Sequence, residues 1–241
     1  MKIALIGYGK MGKAIEKIAI ERGHMIAATF DSKNKFLGDN TEHIDVAIEF
    51  SRPDLAVNHI KKCIDAQIPI VTGTTGWFEQ LDEITSYLNN SNGSLLYASN
   101  FSIGVNIFFA INRKLSQLMA AHPEYQVSIE EIHHLQKLDA PSGTAISLAN
   151  GILDNNSNLK EWVNEDENST VFEKHQIPIT AIRQPDVPGT HTVKYSSEID
   201  TISIHHEAHN RKGFALGAVI AAEWLKEKNG IFTMNDVLNI Q

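Results

Sequence analysis

The sequence contains one cysteine and lacks any apolar run of about 18 residues, the length that a membrane-spanning helix needs. Cys63 cannot form an internal disulfide, and its position in the helical apolar pattern of residues 55–64 indicates a structural thiol. The residues from Met1 to Gly7 lack the small-residue cleavage region of a signal peptide, so we expect a cytoplasmic protein without a membrane partner. The formal net charge of −8 argues against nonspecific binding to nucleic acid.

The amino-terminal stretch has the order strand, glycine loop, helix. An apolar run at residues 3–6 precedes the loop, and a helical apolar pattern follows it up to residue 23. In such a loop one glycine permits the tight turn, one lets a pyrophosphate approach the backbone, and one lets the helix pack on the strand. We expect all six loop residues to bind a dinucleotide cofactor: Gly7, Tyr8, Gly9, Lys10, Met11 and Gly12.

A second apolar run, at residues 25–30, ends in Asp31. A carboxylate at this place can accept both ribose hydroxyls of an adenosine, and it favours NADH because it would repel a 2′-phosphate. Lys33 and Lys35 follow, however, and could neutralise that phosphate. The choice between NADH and NADPH therefore stays open.

The first part of the chain continues as alternating strands and helices, with further strands expected at residues 45–50, 68–71 and 94–98. This alternation predicts an α/β fold with a Rossmann-like, doubly wound parallel sheet. Ligands of such sheets lie beyond the carboxyl ends of the strands. Besides the glycine loop and Asp31, we expect these residues to line the cofactor crevice: Gly73, Thr74, Thr75, Ala98, Ser99, Asn100 and Phe101.

After residue 103 the pattern changes to one long helix, at residues 104–121, followed by alternating strands. It predicts a second, α+β domain with a mixed or antiparallel sheet, with strands at residues 125–132, 177–183, 191–195 and 199–205. We expect residues 186–189 to form the turn between the second and third of these strands. The acidic segment 154–170 is interpreted as a surface insertion or mobile loop.

The predicted domain boundaries follow from this change of pattern. Residues 104–210 would form the second domain, for substrate binding and oligomerisation. The apolar periodicity of residues 214–226 predicts a helix that returns to the first domain, so residues 1–103 and 211–241 would together form the dinucleotide-binding domain.

Residues 130–144 concentrate proton donors, a cation and a turn. The strand that precedes them is expected to end in a loop at the paired His133 and His134, with Lys137 close behind. The turn at residues 140–144 leads into a helix whose first N–H groups can bind an anion. An imidazole can donate a proton near neutral pH, so this stretch predicts a pocket that protonates a substrate and holds a carboxylate.

Together, the glycine loop and residues 73–76, 100–106, 131–144 and 206–218 resemble the 4-hydroxy-tetrahydrodipicolinate (dihydrodipicolinate) reductase family. The resemblance implies NADH- or NADPH-dependent reduction of a cyclic, unsaturated dicarboxylate, dihydrodipicolinate, to tetrahydrodipicolinate in lysine and diaminopimelate synthesis. It also implies a homotetramer that assembles through the second-domain sheets. His133 corresponds to the family's proton donor and Lys137 to its second donor or charge partner. The residues implied to bind substrate are His134, Ser142, Gly143 and Thr144.

The chain departs from the family pattern in two places: its glycine loop is one residue shorter, and Ser32 stands where arginine often follows the acidic residue. Both departures concern the preference between NADH and NADPH. Three alternatives are a different two-domain dehydrogenase, a nonenzymatic nucleotide sensor, and a zinc hydrolase using residues 205–209. The last ranks lowest, and we expect no metal, because the spacing is not His-Glu-x-x-His.

Overall fold

The computed structural model describes residues 1–39, 41–165, 172–210 and 212–240. The strands in chain order are β1 (Lys2–Ile6), β2 (Met25–Phe30), β3 (Val46–Glu49), β4 (Ile70–Thr72), β5 (Ser94–Tyr97), β6 (Gln126–His133), β7 (Glu161–Glu165), β8 (Gln176–Arg183), β9 (Thr190–Ser196), β10 (Thr201–Glu207) and β11 (Gly230–Phe232). The helices are α1 (Lys10–Glu21), α2 (Pro53–Asp65), α3 (Leu81–Asn89), α4 (Ile103–Met119), α5 (Gly143–Leu153), α6 (Lys212–Leu225) and α7 (Met234–Leu238).

The chain divides into two compact units. Unit 1 contains Met1–Asn106 and Lys212–Gln241, and unit 2 contains Ile107–Arg211. None of the helices among the described residues is both long and apolar enough to cross a membrane.

Unit 1 is built on a parallel six-stranded sheet in the order β11-β5-β4-β3-β1-β2. Side chains of β1 alternate between two cores: Ile3 and Leu5 pack with α1 and α6, whereas Ala4 and Ile6 pack with α2 and α3. A strand buried on both faces is apolar throughout, which explains the continuous run at residues 3–6. The predicted doubly wound sheet is confirmed. Strand β11, which lies at its edge, and helix α7, which follows β11, are additional to the predicted elements.

Unit 2 is built on a five-stranded sheet in the order β10-β9-β6-β8-β7. β6 pairs parallel with β8 and antiparallel with β9, so the sheet is mixed. Alternate side chains of β6 are buried, and its residues Val127 and Ile129 pack with Leu148 of α5 in the core of the unit. This alternation is typical of a sheet with one covered face.

Three details of unit 2 differ from the sequence-based expectations. β6 continues to His133, so this histidine lies within the strand and not in a loop. Residues 186–189 do connect β8 to β9, but β6 lies between these two strands, so they do not form a hairpin. The segment 154–170 contains β7, an edge strand that pairs parallel with β8, and its residues 166–170 lie outside the described part of the chain. A short polar edge strand has little apolar periodicity, which is why the pattern did not reveal it.

Helix α6 approaches the Phe101 loop of unit 1 very closely at Gly217. A Cβ atom added there would lie 1.7 Å from the Phe101 carbonyl oxygen. At Gly213, in the first turn of the same helix, the nearest atom to an added Cβ is the Ser102 Oγ, at an ordinary 3.6 Å. Of these two glycines of α6, only Gly217 therefore requires the absence of a side chain.

We predict that Gly217→Ala destabilises unit 1 whereas Gly213→Ala does not. Alanine favours a helix at both positions, but at Gly217 the overpacking costs about 1–3 kcal/mol. Thermal unfolding of the two variants and the parent checks this. A melting temperature of Gly217→Ala equal to that of Gly213→Ala would contradict the close approach.

Candidate active site

The carboxyl ends of the strands in unit 1 bring the predicted cofactor residues to one edge of its sheet. The glycine loop follows β1, Asp31 follows β2, residues 73–75 follow β4, and residues 98–101 follow β5. Because all the strands are parallel, these four segments lie at the same edge. The strand order reverses direction between β1 and β3, which is where such sheets bind dinucleotides.

The three glycines of the glycine loop have different surroundings. Gly7 has a positive φ of 95°, and an added Cβ would lie 2.0 Å from the Phe50 carbonyl oxygen. At Gly12 the added atom would lie 2.6 Å from the Gly7 carbonyl oxygen, so both glycines are required by the fold. Gly9 caps α1 with an ordinary φ of −89° and has nothing within 4 Å of an added Cβ. The open position beside this helix start is suited to a pyrophosphate.

The Asp31 carboxylate is held by its own turn. Its Oδ1 accepts backbone hydrogen bonds from Lys33 N–H at 2.7 Å and Asn34 N–H at 2.9 Å. The N–H of Asn34, followed by that of Lys33, lowers the pKa of Asp31, so the group is ionised at neutral pH. The hydrogen bonds that the described residues make to this carboxylate all end on Oδ1, which leaves Oδ2 for a ligand.

A buried carboxylate that the sequence patterns did not reveal joins the loops after β3 and β4. Glu49 is completely buried and accepts hydrogen bonds from the hydroxyl groups of Ser51 and Thr72. Ser51 N–H also donates to the Thr74 hydroxyl at 2.8 Å. Burial raises the pKa of Glu49, but hydrogen bonds from His59 and the hydroxyls outweigh it, so the pKa lies below its usual value. The carboxylate therefore stays charged and fixes both loops.

The other predicted cofactor residues differ in what they can offer to a ligand. The side chains of Thr74 and Phe101 are buried, at 6% and 2% exposure, so only their backbone atoms are available. Gly73 is packed under the Phe50 ring, at 2.1 Å from an added Cβ. Thr75 and Ser99 are exposed at the edge.

In unit 2, His133 and Glu131 are two residues apart on β6 and share its buried face. Glu131 Oε2 lies in a short contact with His133 Nδ1, and Glu131 Oε1 lies 3.1 Å from Arg183 Nη1. Burial raises the pKa of Glu131, but hydrogen bonds from His133 and Arg183 outweigh it and leave the carboxylate ionised. The arrangement fixes the imidazole with a buried negative charge behind it.

Ser142 connects this pair to the start of α5. Its N–H donates to Glu131 Oε1 at 3.2 Å, and its hydroxyl caps the helix by accepting the Ala145 N–H. The same hydroxyl lies 3.1 Å from His191 Nε2. Burial, followed by the charge of nearby His133, lowers the pKa of His191 to about 3, so this imidazole is neutral at physiological pH.

The remaining predicted residues of unit 2 lie on the more exposed side of this network. Lys137 Nζ binds both carboxylate oxygens of Asp139, at 2.7 and 2.9 Å. Gly143 is exposed at the first position of α5, Thr144 follows it half-buried, and His134 is half-buried directly after β6. The Lys137 amine, the His134 imidazole and the start of α5 thus lie within ten residues of one another in sequence, next to the residues of the Glu131 network.

Neither histidine group has the features of a metal centre. Glu131, His133 and His191 offer atoms within 4.8 Å of one another, but both Glu131 oxygens are already bound, one of them to the Arg183 cation. His205 and His206 are neighbours on β10 and point to opposite faces. His205 binds the Thr192 hydroxyl, whereas the His206 ring packs on Phe108. His205 Nε2 and Glu207 Oε2 lie 3.9 Å apart, but the His206 ring packs elsewhere, so the two neighbouring imidazoles do not converge on one zinc ion.

Glu131, Arg183 and His191 were missed as site residues by the sequence patterns. Only Glu131 had a local signal, because a residue two positions before His133 must share its face once the strand continues that far. Arg183 and His191 come from β8 and β9, and nothing in their own segments identifies them.

Comparison with known proteins agrees with the motifs. Family models described as dihydrodipicolinate reductase, N-terminus and C-terminus, match residues 1–101 and 104–238. A 4-hydroxy-tetrahydrodipicolinate reductase of Christiangramia forsetii is 51% identical over 99% of this chain and 98% of its own. A second one, of Buchnera aphidicola, is 32% identical with the same coverage of both chains. A dipicolinate-bound dihydrodipicolinate reductase from Paenisporosarcina sp. TG-14 superposes with a TM-score of 0.75, at 25% identity over 97% of each chain. The chain belongs to the dihydrodipicolinate reductase family.

Proposed function

We propose that the protein reduces dihydrodipicolinate, formed from 4-hydroxy-tetrahydrodipicolinate, to tetrahydrodipicolinate, with His133 as the proton donor. Family membership makes the chain an oxidoreductase that uses NADH or NADPH. The observation that carries the assignment of His133 is the buried Glu131 carboxylate against its Nδ1. A buried imidazole backed by a carboxylate is a general acid held in one orientation.

The residues of unit 1 suit a dinucleotide. The open space at Gly9 admits a pyrophosphate, and Asp31 Oδ2 can accept a ribose hydroxyl. The loop fixed by Glu49 presents the exposed Thr75. A bound nicotinamide supplies the hydride for an electron-poor ring carbon of the substrate.

In unit 2, the substrate needs partners for two carboxylates and a proton for the charge that the hydride leaves on the conjugated ring. The start of α5 at Gly143 and Thr144 offers N–H groups for one carboxylate. Lys137 binds Asp139 in an exposed pair, and such pairs are weak, so a substrate carboxylate can take the place of Asp139. His133 then donates the proton, and we assign His134 and Ser142 to substrate binding with them.

Two alternatives explain fewer of these features. A different two-domain dehydrogenase would share unit 1 but would not need the buried carboxylate and imidazole beside a helix start. A nucleotide sensor would need neither Lys137 nor a proton donor.

We further propose a cytoplasmic homotetramer assembled through the sheets of unit 2, whose edge strand β10 carries the 41% exposed Ile202.

We predict that Gly9→Val abolishes NADH binding without destabilising the fold. Valine fits the φ of −89° and meets no atom within 4 Å of its Cβ, so it obstructs only the pyrophosphate. Calorimetric titration with NADH and thermal unfolding check this. Undiminished NADH binding in Gly9→Val would exclude this loop as the pyrophosphate site.

We predict that Asp31→Ala weakens NADH binding more than NADPH binding. The variant loses the ribose hydrogen bond with both nucleotides, but with NADPH it also relieves repulsion of the 2′-phosphate. Asp31→Asn is the matched control, because its side-chain oxygen can still accept the N–H groups of Lys33 and Asn34. The dissociation constants of NADH and NADPH for each variant test this prediction. Equal losses of affinity for the two nucleotides in Asp31→Ala would count against a ribose contact.

We predict that His133→Gln lowers kcat by about 100-fold or more while KM changes little, because it keeps a polar side chain but removes the proton donor. Steady-state kinetics measure this. Lys137→Ala is the comparison: loss of a carboxylate partner removes about 1.5–3 kcal/mol, which appears in KM as well as kcat. A near-parental kcat in His133→Gln would refute the donor role, and NADH affinity without substrate should be unchanged in both variants.

A further inference from the structure

The Glu131 carboxylate beside His133 contacts two different nitrogen groups, an imidazole and a guanidinium. Glu131 has no exposed surface, and its partners are His133 Nδ1 on one oxygen and Arg183 and the Ser142 N–H on the other. The Arg183 guanidinium is also fixed by two other hydrogen bonds, which it donates to the backbone oxygens of Ile182 and Asp139, each at 2.8 Å. One buried anion is therefore shared between an imidazole and a fixed cation.

We propose that Glu131 is a positioning residue that keeps His133 in its proton-donating form, and that Arg183 limits how strongly Glu131 does so. The inference rests on the proposed function and extends it to two residues that do not need to contact the substrate. A carboxylate against Nδ1 selects the ring orientation and stabilises the charged imidazolium. Arg183 stabilises the same carboxylate and so weakens its hold on the His133 proton.

The geometry assigns Nε2 as the donating nitrogen. Nδ1 is engaged by Glu131, whereas Nε2 faces the backbone of Gly189, where an added Cβ would lie only 2.9 Å away. Any side chain at this position would cover Nε2. The absence of a side chain at Gly189 leaves this nitrogen uncovered on that side.

The other groups around His133 do not compete for this function. Its nearest aromatic neighbour, His191, packs edge-on at 5.1 Å between ring centroids and is neutral, because burial lowers its pKa to about 3. Lys137 and Asp139 form a pair whose charges offset each other. Burial lowers the pKa of His206 too. The titratable or charged groups that surround the site are thus Glu131, His134, Lys137, Asp139, Arg183, His191 and His206.

The test is the pH dependence of kcat in two variants that change opposite charges. Because the donor must be protonated, kcat falls at alkaline pH, where the donor loses its proton. This fall in the pH profile is called the alkaline limb below. Glu131→Gln removes the stabilising charge and should move this limb to lower pH by about 1–3 units. Arg183→Met leaves Glu131 with its full charge for His133 and should move the limb to higher pH by about one unit. Glu130→Gln is the matched control: it removes the same charge from an exposed neighbour on β6 and should leave the limb unchanged.

A merely structural role predicts a different result. Loss of packing would lower kcat in both variants without moving the limb, or would move it in the same direction in both, and either outcome overturns the proposal. Glu131→Asp and Arg183→Lys keep the charges and should restore a near-parental limb. If Glu131→Gln does not fold, the test rests on the arginine variants: the limb should move to higher pH in Arg183→Met and stay near-parental in Arg183→Lys.

A second measurement separates this proposal from the proposed function. Titration of the His133 imidazole by NMR, in the full chain without nucleotide or substrate, should show the same opposite shifts in Glu131→Gln and Arg183→Met. Absent reductase activity in the parent protein would refute the proposed function while these shifts still stood. Parental activity with unshifted His133 titration in both variants would refute only the coupling to Glu131 and Arg183.

Discussion

The register of β6 between β8 and β9 is the constraint on which the site in unit 2 depends. In this register His133 lies opposite Arg183 of β8, and Glu131 lies opposite His191 of β9. Side chains alternate with a period of two along a strand, so a slip of one residue would turn Glu131 and His133 away from the covered face. The packing of Val127 and Ile129 in the core opposes such a slip, because it would expose both. The same apolar packing that stabilises unit 2 therefore places Glu131 and His133 on its buried face.

Unit 1 obtains its cofactor edge from backbone contacts more than from side chains. Gly7 and Gly12 bring the glycine loop against the backbone of Phe50 and against itself, at distances that no side chain would permit. These approaches hold the end of β1 beside the end of β3, where the strand order reverses. Gly9 alone is left with open space, so the loop is rigid where it supports the fold and uncovered where a ligand would bind.

Each unit contains a buried carboxylate at the end of a strand, and both are kept charged by several hydrogen bonds. Glu49 gathers the hydroxyls of Ser51 and Thr72, and Glu131 gathers His133, Arg183 and the Ser142 N–H. A buried charge with only one partner would be costly, whereas one with three or four fixes several loops together. The difference lies in the remaining partners: Glu49 is surrounded by His59 and the hydroxyls of two loops, whereas Glu131 lies between the His133 imidazole and the Arg183 guanidinium.

The sequence by itself determined the elements and the local motifs. Apolar periodicity predicted the strands of the parallel sheet, the glycine spacing predicted the loop after β1, and residues 130–144 predicted an imidazole and a helix start in one pocket. These features are readable because a period of two or 3.6 and a turn residue act over a few positions. Only the tertiary structure decided that β6 lies between β8 and β9, and hence that Arg183 and His191 join Glu131. Strand order depends on the packing of whole faces between segments about 50 residues apart, and no short-range pattern in either segment carries that information.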